Sequence, residues 1–306
     1  MPILGTVASS FDNTVAARGL FAGGYGGSYI NVIDYIDIAT TGNTTNFGNL
    51  TVATSAPAGA SSSTRGLIGG GNTGSMVNVI EYVTIATTGN ATDFGDLTVS
   101  REKMASCSSS TRGVFAGGSD AANLINVIDY VTIDSTGNAT DFGDLTQIRN
   151  GAGGCSSPTR GVFSGGYVNF PDRTVNNIDY VTIATTGNAT DFGDLTVGRN
   201  ATASCSSSTR GITGGGAEGT YNTIDYITIA STGNATDFGD LSVGRYSISA
   251  CSSTNRGVFA GGANGAGFRN IIDYITISTT GNATDFGDLS STKDSVAAFS
   301  NSHGGL

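Results

Sequence analysis

Residues 136–145 read Thr136-Gly137-Asn138-Ala139-Thr140-Asp141-Phe142-Gly143-Asp144-Leu145, and close copies of this decapeptide recur along the chain. An internal repeat is sought before any other pattern, because its period decides which architectures are open to the chain. The copies begin at Thr41, Thr88, Thr136, Thr186, Thr232 and Thr280. The chain is therefore a repeat protein with six units.

Three further landmarks recur in step with the decapeptide. An Arg-Gly pair comes first, then an acid followed by tyrosine, then the phenylalanine of the decapeptide, with a period of 46 to 50 residues. Periods of this length are typical of propellers and repeat arrays. The arginines are Arg18, Arg65, Arg112, Arg160, Arg210 and Arg256, the tyrosines are Tyr35, Tyr82, Tyr130, Tyr180, Tyr226 and Tyr274, and the phenylalanines are Phe47, Phe94, Phe142, Phe192, Phe238 and Phe286.

Each repeat reads as four short strands, A to D, which the third copy illustrates at 104–108, 113–117, 127–133 and 139–145. Strand C carries β-branched and aromatic residues on both faces, as expected for a sheet packed between two neighbours. A Gly-Asn pair between strands C and D favours a tight hairpin turn. We therefore predict an all-β fold, a β-propeller of six four-stranded blades.

The order of these landmarks resembles the kelch motif. In the fifth copy Arg210-Gly211 precedes the doublet Gly215-Gly216, then Tyr226 and Phe238 follow in the kelch order. The resemblance covers nearly the whole chain, although phenylalanine replaces the kelch tryptophan in every copy. The amino-acid sequence of the decapeptide is similar to repeats of kelch-like proteins from marine bacteriophages and environmental sequences. The resemblance implies a propeller, in agreement with the strand pattern.

The chain ends are predicted to close the ring. A further copy of the strand A pattern occurs at 294–300, and we expect it to join the first blade, because this pairing removes an exposed sheet edge. The whole chain, 1–306, is then one domain, with an N-terminal extension at 1–14 that lies across the rim or binds a partner. The blades are predicted at about 15–52, 53–99, 100–147, 148–197, 198–243 and 244–291, with a closing segment at 292–306.

Composition argues against several classes of function. The 306 residues carry 14 lysines and arginines against 24 aspartates and glutamates, so a nucleic acid would meet no clustered basic face. No run of about 18 apolar residues is present to insert into a membrane, and no signal peptide is visible. One strand A position holds the cysteines, which we interpret as free, buried core residues that bind no metal: Cys107, Cys155, Cys205 and Cys251.

Only the connection between strands B and C varies in length, from 15 to 19 residues counted from arginine to acid. Because strands alternate in direction, the B–C and D–A loops share one face, and insertions in repeat proteins often map to the binding face. The alternative is relaxed drift of exposed loops. The candidate ligand-binding residues of the B–C loops are Tyr25, Tyr29, Phe170, Arg173, Tyr221 and Phe268.

The D–A connections add a second group of candidates on the same face. These basic residues could form a ring around the channel mouth that attracts an anionic ligand, such as an acidic sugar. The alternative is pairing with neighbouring aspartates such as Asp96, Asp144 and Asp240, which is the ordinary behaviour of exposed charges. The candidates are Arg101, Arg149, Arg199, Arg245 and Lys293.

The Arg-Gly arginines match a set of acids in number and phase, and we predict that the two sets form partly buried ion pairs with a structural role. The arginines are Arg18, Arg65, Arg112, Arg160, Arg210 and Arg256, and the acids are Asp34, Glu81, Asp129, Asp179, Asp225 and Asp273.

No catalytic residue, metal ligand or cofactor is predicted. Some kelch propellers are copper oxidases that need two histidines, and this chain has one histidine, His303. A glycosidase needs two facing carboxylates, and the repeated aspartates offer no unique pair. We expect a non-enzymatic structural or adhesion module that binds an assembly-partner protein or a glycan, with higher-order assembly. The alternative is a carbohydrate-active enzyme, of glycosidase or lyase type, with its site at the channel mouth of that face. The resemblance to phage repeats implies a virion or extracellular surface location.

Overall fold

The computed structural model describes residues 16–169 and 173–306. The predicted extension at 1–14 and the candidate Phe170 lie outside these ranges. Within them, every regular element is a β-strand, and the strands form six four-stranded antiparallel sheets and one two-stranded hairpin. The prediction of an all-β, six-bladed propeller is confirmed.

The strands follow the repeat, with three in the first unit, four in each of the next four, and four plus the inserted β22–β23 hairpin in the sixth, before the closing strand β26. In chain order they are β1 (Arg18–Ala22), β2 (Val32–Asp37), β3 (Thr45–Asn49), β4 (Ala58–Ser61), β5 (Arg65–Gly69), β6 (Val79–Thr84), β7 (Thr92–Asp96), β8 (Ala105–Ser108), β9 (Arg112–Ala116), β10 (Val127–Thr132), β11 (Thr140–Asp144), β12 (Gly153–Ser156), β13 (Arg160–Ser164), β14 (Asn177–Thr182), β15 (Thr190–Asp194), β16 (Ala203–Ser206), β17 (Arg210–Gly214), β18 (Thr223–Thr228), β19 (Thr236–Asp240), β20 (Ser249–Ser252), β21 (Arg256–Ala260), β22 (Ala263–Asn264), β23 (Gly267–Phe268), β24 (Ile271–Thr276), β25 (Thr284–Asp288) and β26 (Ala297–Ser300).

The last strand closes the ring, as the sequence predicts. The first blade has the order β26-β1-β2-β3, and the other five blades use four strands that are sequential in the chain apart from the inserted β22–β23 hairpin. In the closing pair Gly19 lies opposite Ser300 and Ala22 lies opposite Ala297. Both ends of the propeller therefore belong to one sheet, and the inner edge of β1 is paired.

The decapeptide forms a β-bulge at the outer strand of every blade. In the third blade Ile128 pairs with Gly143 and Asp129 pairs with Asp141, so Phe142 is the extra residue on the outer strand. A bulge re-aims a side chain and increases the local twist. The Phe142 ring is buried and meets the Tyr130 ring edge-on at 5.9 Å between centroids. Equivalent Tyr–Phe pairs occur in all six blades.

The two halves of the decapeptide also join neighbouring blades. The Gly137 amide of the third blade donates to the Phe94 carbonyl of the second blade at 2.8 Å. The Asp96 amide of the second blade donates back to the Asn138 side-chain oxygen at 3.1 Å. The backbones approach so closely that a Cβ at Gly95, whose φ is +147°, would lie 2.5 Å from the carbonyl carbon of Gly137. The second glycine of the decapeptide is therefore required by contact between blades, whereas a Cβ at the first, such as Gly137, would meet no atom within 4 Å.

The hydrophobic core lies between blades. One cluster joins Cys107, Val114 and Phe142 of the third blade to Phe163 and Ile183 of the fourth. Corresponding clusters fill the other interfaces. Each sheet thus buries its apolar face against a neighbour, and burial of this kind is the main favourable contribution to folding.

The Arg-Gly arginines act as clamps between blades. Arg112 lies over the ring of Tyr130, with its guanidinium carbon 4.5 Å from the ring centroid, and donates to the Ile183 carbonyl of the next blade at 2.9 Å. All six arginines repeat both contacts around the ring. The predicted ion pairs between these arginines and the acids that precede tyrosine are therefore wrong.

The strand register explains the error. Arg112 lies opposite Thr132, two residues from Tyr130, so arginine and tyrosine share one face of the sheet. Asp129 precedes Tyr130 and points to the opposite face. The correction applies to every predicted pair, that is to Arg18, Arg65, Arg112, Arg160, Arg210 and Arg256 with Asp34, Glu81, Asp129, Asp179, Asp225 and Asp273.

Candidate functional site

The B–C and D–A connections meet on one face of the propeller, here called the variable face. Short backbone bridges connect the two kinds of loop within a blade, for example between Glu102 and Ser119 in the third blade and between Asn150 and Tyr167 in the fourth. In the fifth blade the Ala217 amide donates to the Asn200 carbonyl at 2.8 Å. The expected grouping of these loops is thus observed.

A ring of left-handed residues surrounds the channel mouth on the variable face. Each blade contributes one residue with φ between +51° and +63°. Backbone hydrogen bonds connect successive members, such as Lys103 N to Ala56 O at 3.1 Å, and Thr202 makes the connection to Gly151. A non-glycine residue in this conformation costs of order 1–2 kcal/mol, so the surrounding structure must enforce it. The six positions are Ala56, Lys103, Gly151, Ala201, Ser247 and Ser295.

Inside this ring lies a cavity of about 440 Å³, here called the funnel, to which all six blades contribute. Its polar lining includes Lys103, Asn150, Tyr167, Asn200 and Glu218. The cavity narrows along the channel, where the innermost strands enclose about 100 Å³ and then about 50 Å³. Concave sites for small ligands commonly measure about 300–1,000 Å³, so the funnel has the size of a ligand site.

The charge around the funnel is mixed. Lys103 is exposed, and its ammonium lies 3.7 Å from the Glu102 carboxylate. Burial raises the pKa of Asp294, against the opposing effects of a Ser295 hydrogen bond and the Lys103 charge. Basic and acidic groups are thus both present around the funnel.

Three aromatic side chains form a strip beside the funnel, here called the aromatic strip: Tyr25, Tyr29 and Phe268. The Tyr25 ring centroid lies 5.6 Å from that of Tyr29 and 5.7 Å from that of Phe268, both edge-on. Tyr29 is 38% exposed, and its hydroxyl donates to Asn72 of the second blade at 3.2 Å. The strip thus reaches from the sixth blade across the first to the second.

The other B–C candidates lie elsewhere on the variable face. Arg173 is exposed in the fourth blade and has φ +57°. Tyr221 is half-buried in the fifth blade, where its ring packs against Gly219. Of the predicted aromatic ligand residues that the structure describes, it therefore brings together Tyr25, Tyr29 and Phe268 and leaves Tyr221 apart from them.

The D–A basic residues do not form a ring at the channel mouth. Their side chains are fully buried and pair with the strand C acids: Arg101 with Asp129, Arg149 with Asp179, Arg199 with Asp225, Arg245 with Asp273 and Lys293 with Asp34, at 2.6 to 3.0 Å. The prediction that they bind a ligand there is wrong, because their side chains turn inward under the B–C loop. The suggested partners Asp96, Asp144 and Asp240 are also wrong.

Each of the four buried arginines meets more than one acceptor. The Arg101 guanidinium bonds to Asp129 at 2.9 Å and donates to the carbonyls of Val127 and Phe115 at 3.0 and 3.2 Å. Thr98 donates to the same carboxylate through its amide and hydroxyl. Burial lowers the pKa of Arg101, and the Asp129 charge opposes this shift. The pair is therefore the centre of a buried hydrogen-bond network beneath the variable face.

The C-terminal tail closes the other end of the channel. His303 Nδ1 accepts from the Gly305 amide at 3.0 Å, so we assign the proton to Nε2, which donates to the Ser61 carbonyl at 3.0 Å. Ser108 also lies 3.2 Å from Nε2. Burial lowers the pKa of His303, so the neutral ring is favoured. In the other five blades a serine hydroxyl donates directly to the corresponding carbonyl of a neighbour.

The four cysteines are buried and free, as predicted. Burial raises the pKa of Cys155 and of Cys251 to about 12, so both thiols stay protonated at neutral pH. Each sulfur packs against the glycine of an Arg-Gly pair; a Cβ at Gly211 would lie 2.9 Å from the Cys155 sulfur. The thiols are therefore packing residues with little nucleophilic character.

Several features of the variable face were missed from sequence. Lys103, Tyr167 and Glu218 line the funnel, and no repeat pattern singles them out. The left-handed ring has one sequence signal, Gly151, because glycine favours this conformation, but the equivalent residues elsewhere are alanine, lysine and serine. The sequence did reveal the closing strand β26, and the place of His303 in the tail follows because this residue comes just after that strand.

The described part of the chain contains no cluster of three or more His, Cys, Asp or Glu side chains placed to hold a metal ion. It also contains no helix that is long and apolar enough to cross a membrane. No protein-family model matches the chain, and no curated protein matches it. The architecture, a six-bladed β-propeller of four-stranded blades, therefore rests on the strand topology itself.

Proposed function

We propose that the protein is a non-enzymatic binding module that engages a glycan or a protein through its variable face. The observation that carries the proposal is the aromatic strip bordering the funnel. The Tyr25 amide donates to the Asp294 carbonyl at 2.9 Å, and the following residue, Ser295, lines the funnel. A ligand on this face could contact exposed aromatic rings and a polar concave site together.

The chemistry of the strip favours a glycan. The faces of aromatic rings are electron-rich, so they attract the polarised C–H groups of a sugar ring. Asn150, Asn200 and Glu218 supply hydrogen-bond donors and acceptors to hydroxyl groups nearby. Tyrosine is also enriched at protein interfaces, so a protein ligand is the second outcome of the test.

A location on a virion or extracellular surface is part of the proposal. Its support is the similarity of the decapeptide to kelch-like repeats of marine bacteriophages. Interlocked blades make a rigid scaffold, and variable loops on a rigid scaffold are a common arrangement for recognition. Detection of the protein at fixed stoichiometry in purified particles would test this location.

A glycan array, followed by titration of any hit, tests the binding proposal. Tyr29→Ala and Phe268→Ala should weaken binding by roughly tenfold or more, as for aromatic contacts at an interface centre. Tyr221→Ala is the matched control, because it removes an aromatic ring from a B–C loop away from the strip, and it should bind like the unaltered protein.

A pull-down from the native source covers the protein ligand. If one protein is captured, and if Tyr29→Ala abolishes this capture whereas Tyr221→Ala does not, the proposed site is correct and its ligand is a protein. Turnover of a bound glycan would contradict the non-enzymatic proposal. Equal binding by all three variants would place recognition away from the strip.

A further inference from the structure

The second blade departs from the pattern of buried ion pairs. In the other five blades an arginine or lysine, four residues after the leucine of the decapeptide, pairs with a strand C aspartate. In the second blade Thr54 stands at the basic position, four residues after Leu50, and Glu81 stands at the acidic position. The carboxylate is retained, whereas the intramolecular cation is lost.

Glu81 remains buried, and the part of the chain that the structure describes gives it no positive partner. Its exposure is 7%, and Oε1 accepts from the Thr51 amide at 2.9 Å and from the Thr51 hydroxyl. Among the described residues, no lysine or arginine nitrogen lies within 4.0 Å of this carboxylate, and Oε2 accepts no hydrogen bond. Burying an ionised carboxylate without a cation is costly, so the site favours an external cation.

A cavity of about 110 Å³ adjoins Glu81, at the place where the other blades hold the basic side chain. Room for one water corresponds to about 10–15 Å³ on this kind of measure, so a small organic cation fits. Val52 and Val79, which are 55% and 39% exposed, line the cavity and connect it to the surface. The remaining wall includes Leu50, Thr54, Ile68 and Val77.

The acceptors around the cavity match a guanidinium. In the third blade Arg101 donates to the carbonyls of Phe115 and Val127 as well as to the carboxylate. Strand register places Ile68 and Val79 at these two positions in the second blade, and both line the cavity. A planar guanidinium carries five N–H donors, so it can donate to the carboxylate and to both carbonyls at once.

We propose that this cavity is a binding site for an alkylguanidinium cation, with Glu81 as its counterion. The aliphatic stem of the ligand lies along Val52 and Val79, as arginine stems do on apolar surfaces. The group can belong to a free small guanidinium compound or to an arginine side chain of a bound protein. Calcium is disfavoured, because it takes six to eight oxygen ligands and this wall is mainly aliphatic.

The inference goes beyond the binding module proposed above. None of the residues of the aromatic strip lines this cavity, and Glu81 does not line the funnel. Each site can therefore be tested, and can fail, without the other.

Titration of the full chain with methylguanidinium, followed by calorimetry and by NMR of labelled glutamate carboxyl groups, tests the site. We expect saturable binding and a shift of the Glu81 carboxyl signal. N-methylurea has nearly the same shape without the charge, and it should bind at least roughly tenfold more weakly, because it lacks the ionic partner. An arginine-containing peptide that binds more tightly than methylguanidinium would indicate a protein source; equal affinity would indicate a free compound.

Two variants probe the same site in different ways. Glu81→Gln should weaken binding by roughly tenfold or more, since it removes the counterion. Thr54→Arg should abolish binding and raise the melting temperature, because it restores the ion pair of the other blades, and this gain keeps the test valid if Glu81→Gln folds poorly. Thr185→Ala removes a threonine hydroxyl from an exposed turn of the fourth blade, away from the cavity, and should bind normally. Unchanged binding by Thr54→Arg, equal binding of N-methylurea, or binding of CaCl2 alone would overturn the proposal.

Discussion

Asp129 and Tyr130 are neighbours in β10, and their side chains leave the sheet on opposite faces. Tyr130 receives Arg112 from the adjacent strand, whereas Asp129 receives Arg101 from the connection before β8. In the third blade, the alternation of side chains along β10 thus directs the two arginines to opposite faces of the sheet. That alternation is visible in the sequence, and it excludes a shared partner, but it does not say which arginine takes which face.

Arg245→Met tests the buried ion pairs. In the unaltered protein Asp273 bonds to Arg245 at 2.6 Å. The change leaves this carboxylate buried without a cation. Removing one member of a buried pair costs about 3–5 kcal/mol, so we expect a loss of this size in the free energy of unfolding, measured by chemical denaturation.

Two matched variants make this result specific. Arg245→Lys should lose less than Arg245→Met, because Lys293 already forms the equivalent pair with Asp34 at 2.9 Å. Arg173→Met removes an exposed arginine and should change stability by less than about 0.5 kcal/mol. A loss for Arg245→Met no larger than that of Arg173→Met would show that the pair contributes nothing.

At the scale of the element, the decapeptide supplies the end of the connection between β10 and β11 and the outer strand itself, and it is also a joint between blades. Its Thr-Gly-Asn half contacts the Phe-Gly-Asp half of the preceding blade through Gly137, Phe94, Asp96 and Asn138. The sequence predicted the outer strand correctly from local chemistry, but the tight turn at the Gly-Asn pair is wrong. Tyr130 pairs with Thr140, so residues 131–139 connect the two strands, and the turn hydrogen bond runs from Ser135 N to Thr132 O. The sequence could not predict the joint, because the two halves that meet are about one repeat apart. Every repeat has nearly the same sequence, so the sequence does not show which copies are in contact.

Arg112→Met tests the clamp between the third and fourth blades. The variant loses the contact over Tyr130 and the bond to the Ile183 carbonyl, both of which are partly exposed. A cation–π contact and one hydrogen bond of this kind contribute about 1–2 kcal/mol together. The loss in unfolding free energy should therefore be clearly smaller than for Arg245→Met. An equal or larger loss would mean that the clamp contributes more to stability than these two contacts explain.

The whole molecule is close to six-fold symmetric in sequence, and its candidate sites lie where the symmetry is broken. The aromatic strip depends on the inserted β22–β23 hairpin, which carries Phe268. The guanidinium site depends on one blade that has Thr54 at the basic position and Glu81 at the acidic position. Repeat reasoning predicted the blades, their number and the closing strand, because these follow from what the copies share. It was weaker for the sites, which follow from how single copies differ.

Ring closure gives the last prediction. A chain that ends at residue 294 lacks β26 and leaves the inner edge of β1 unpaired. It also loses the buried Phe299 side chain, whose removal alone is worth about 3–5 kcal/mol. Phe299 packs against the glycine of the second blade's Arg-Gly pair, so two blade interfaces weaken together. We expect the melting temperature to fall by at least about 10 °C.

A second truncation, ending at residue 300, separates closure from the tail. This chain keeps β26 and loses His303, whose bonds to Ser61 and Ser108 can pass to water in an opened channel. Its melting temperature should therefore stay closer to that of the full chain. Light scattering adds an independent measurement, because an exposed strand edge recruits other chains. The chain ending at residue 294 should self-associate and the chain ending at residue 300 should not; the reverse order would mean that the tail, rather than β26, holds the ring closed.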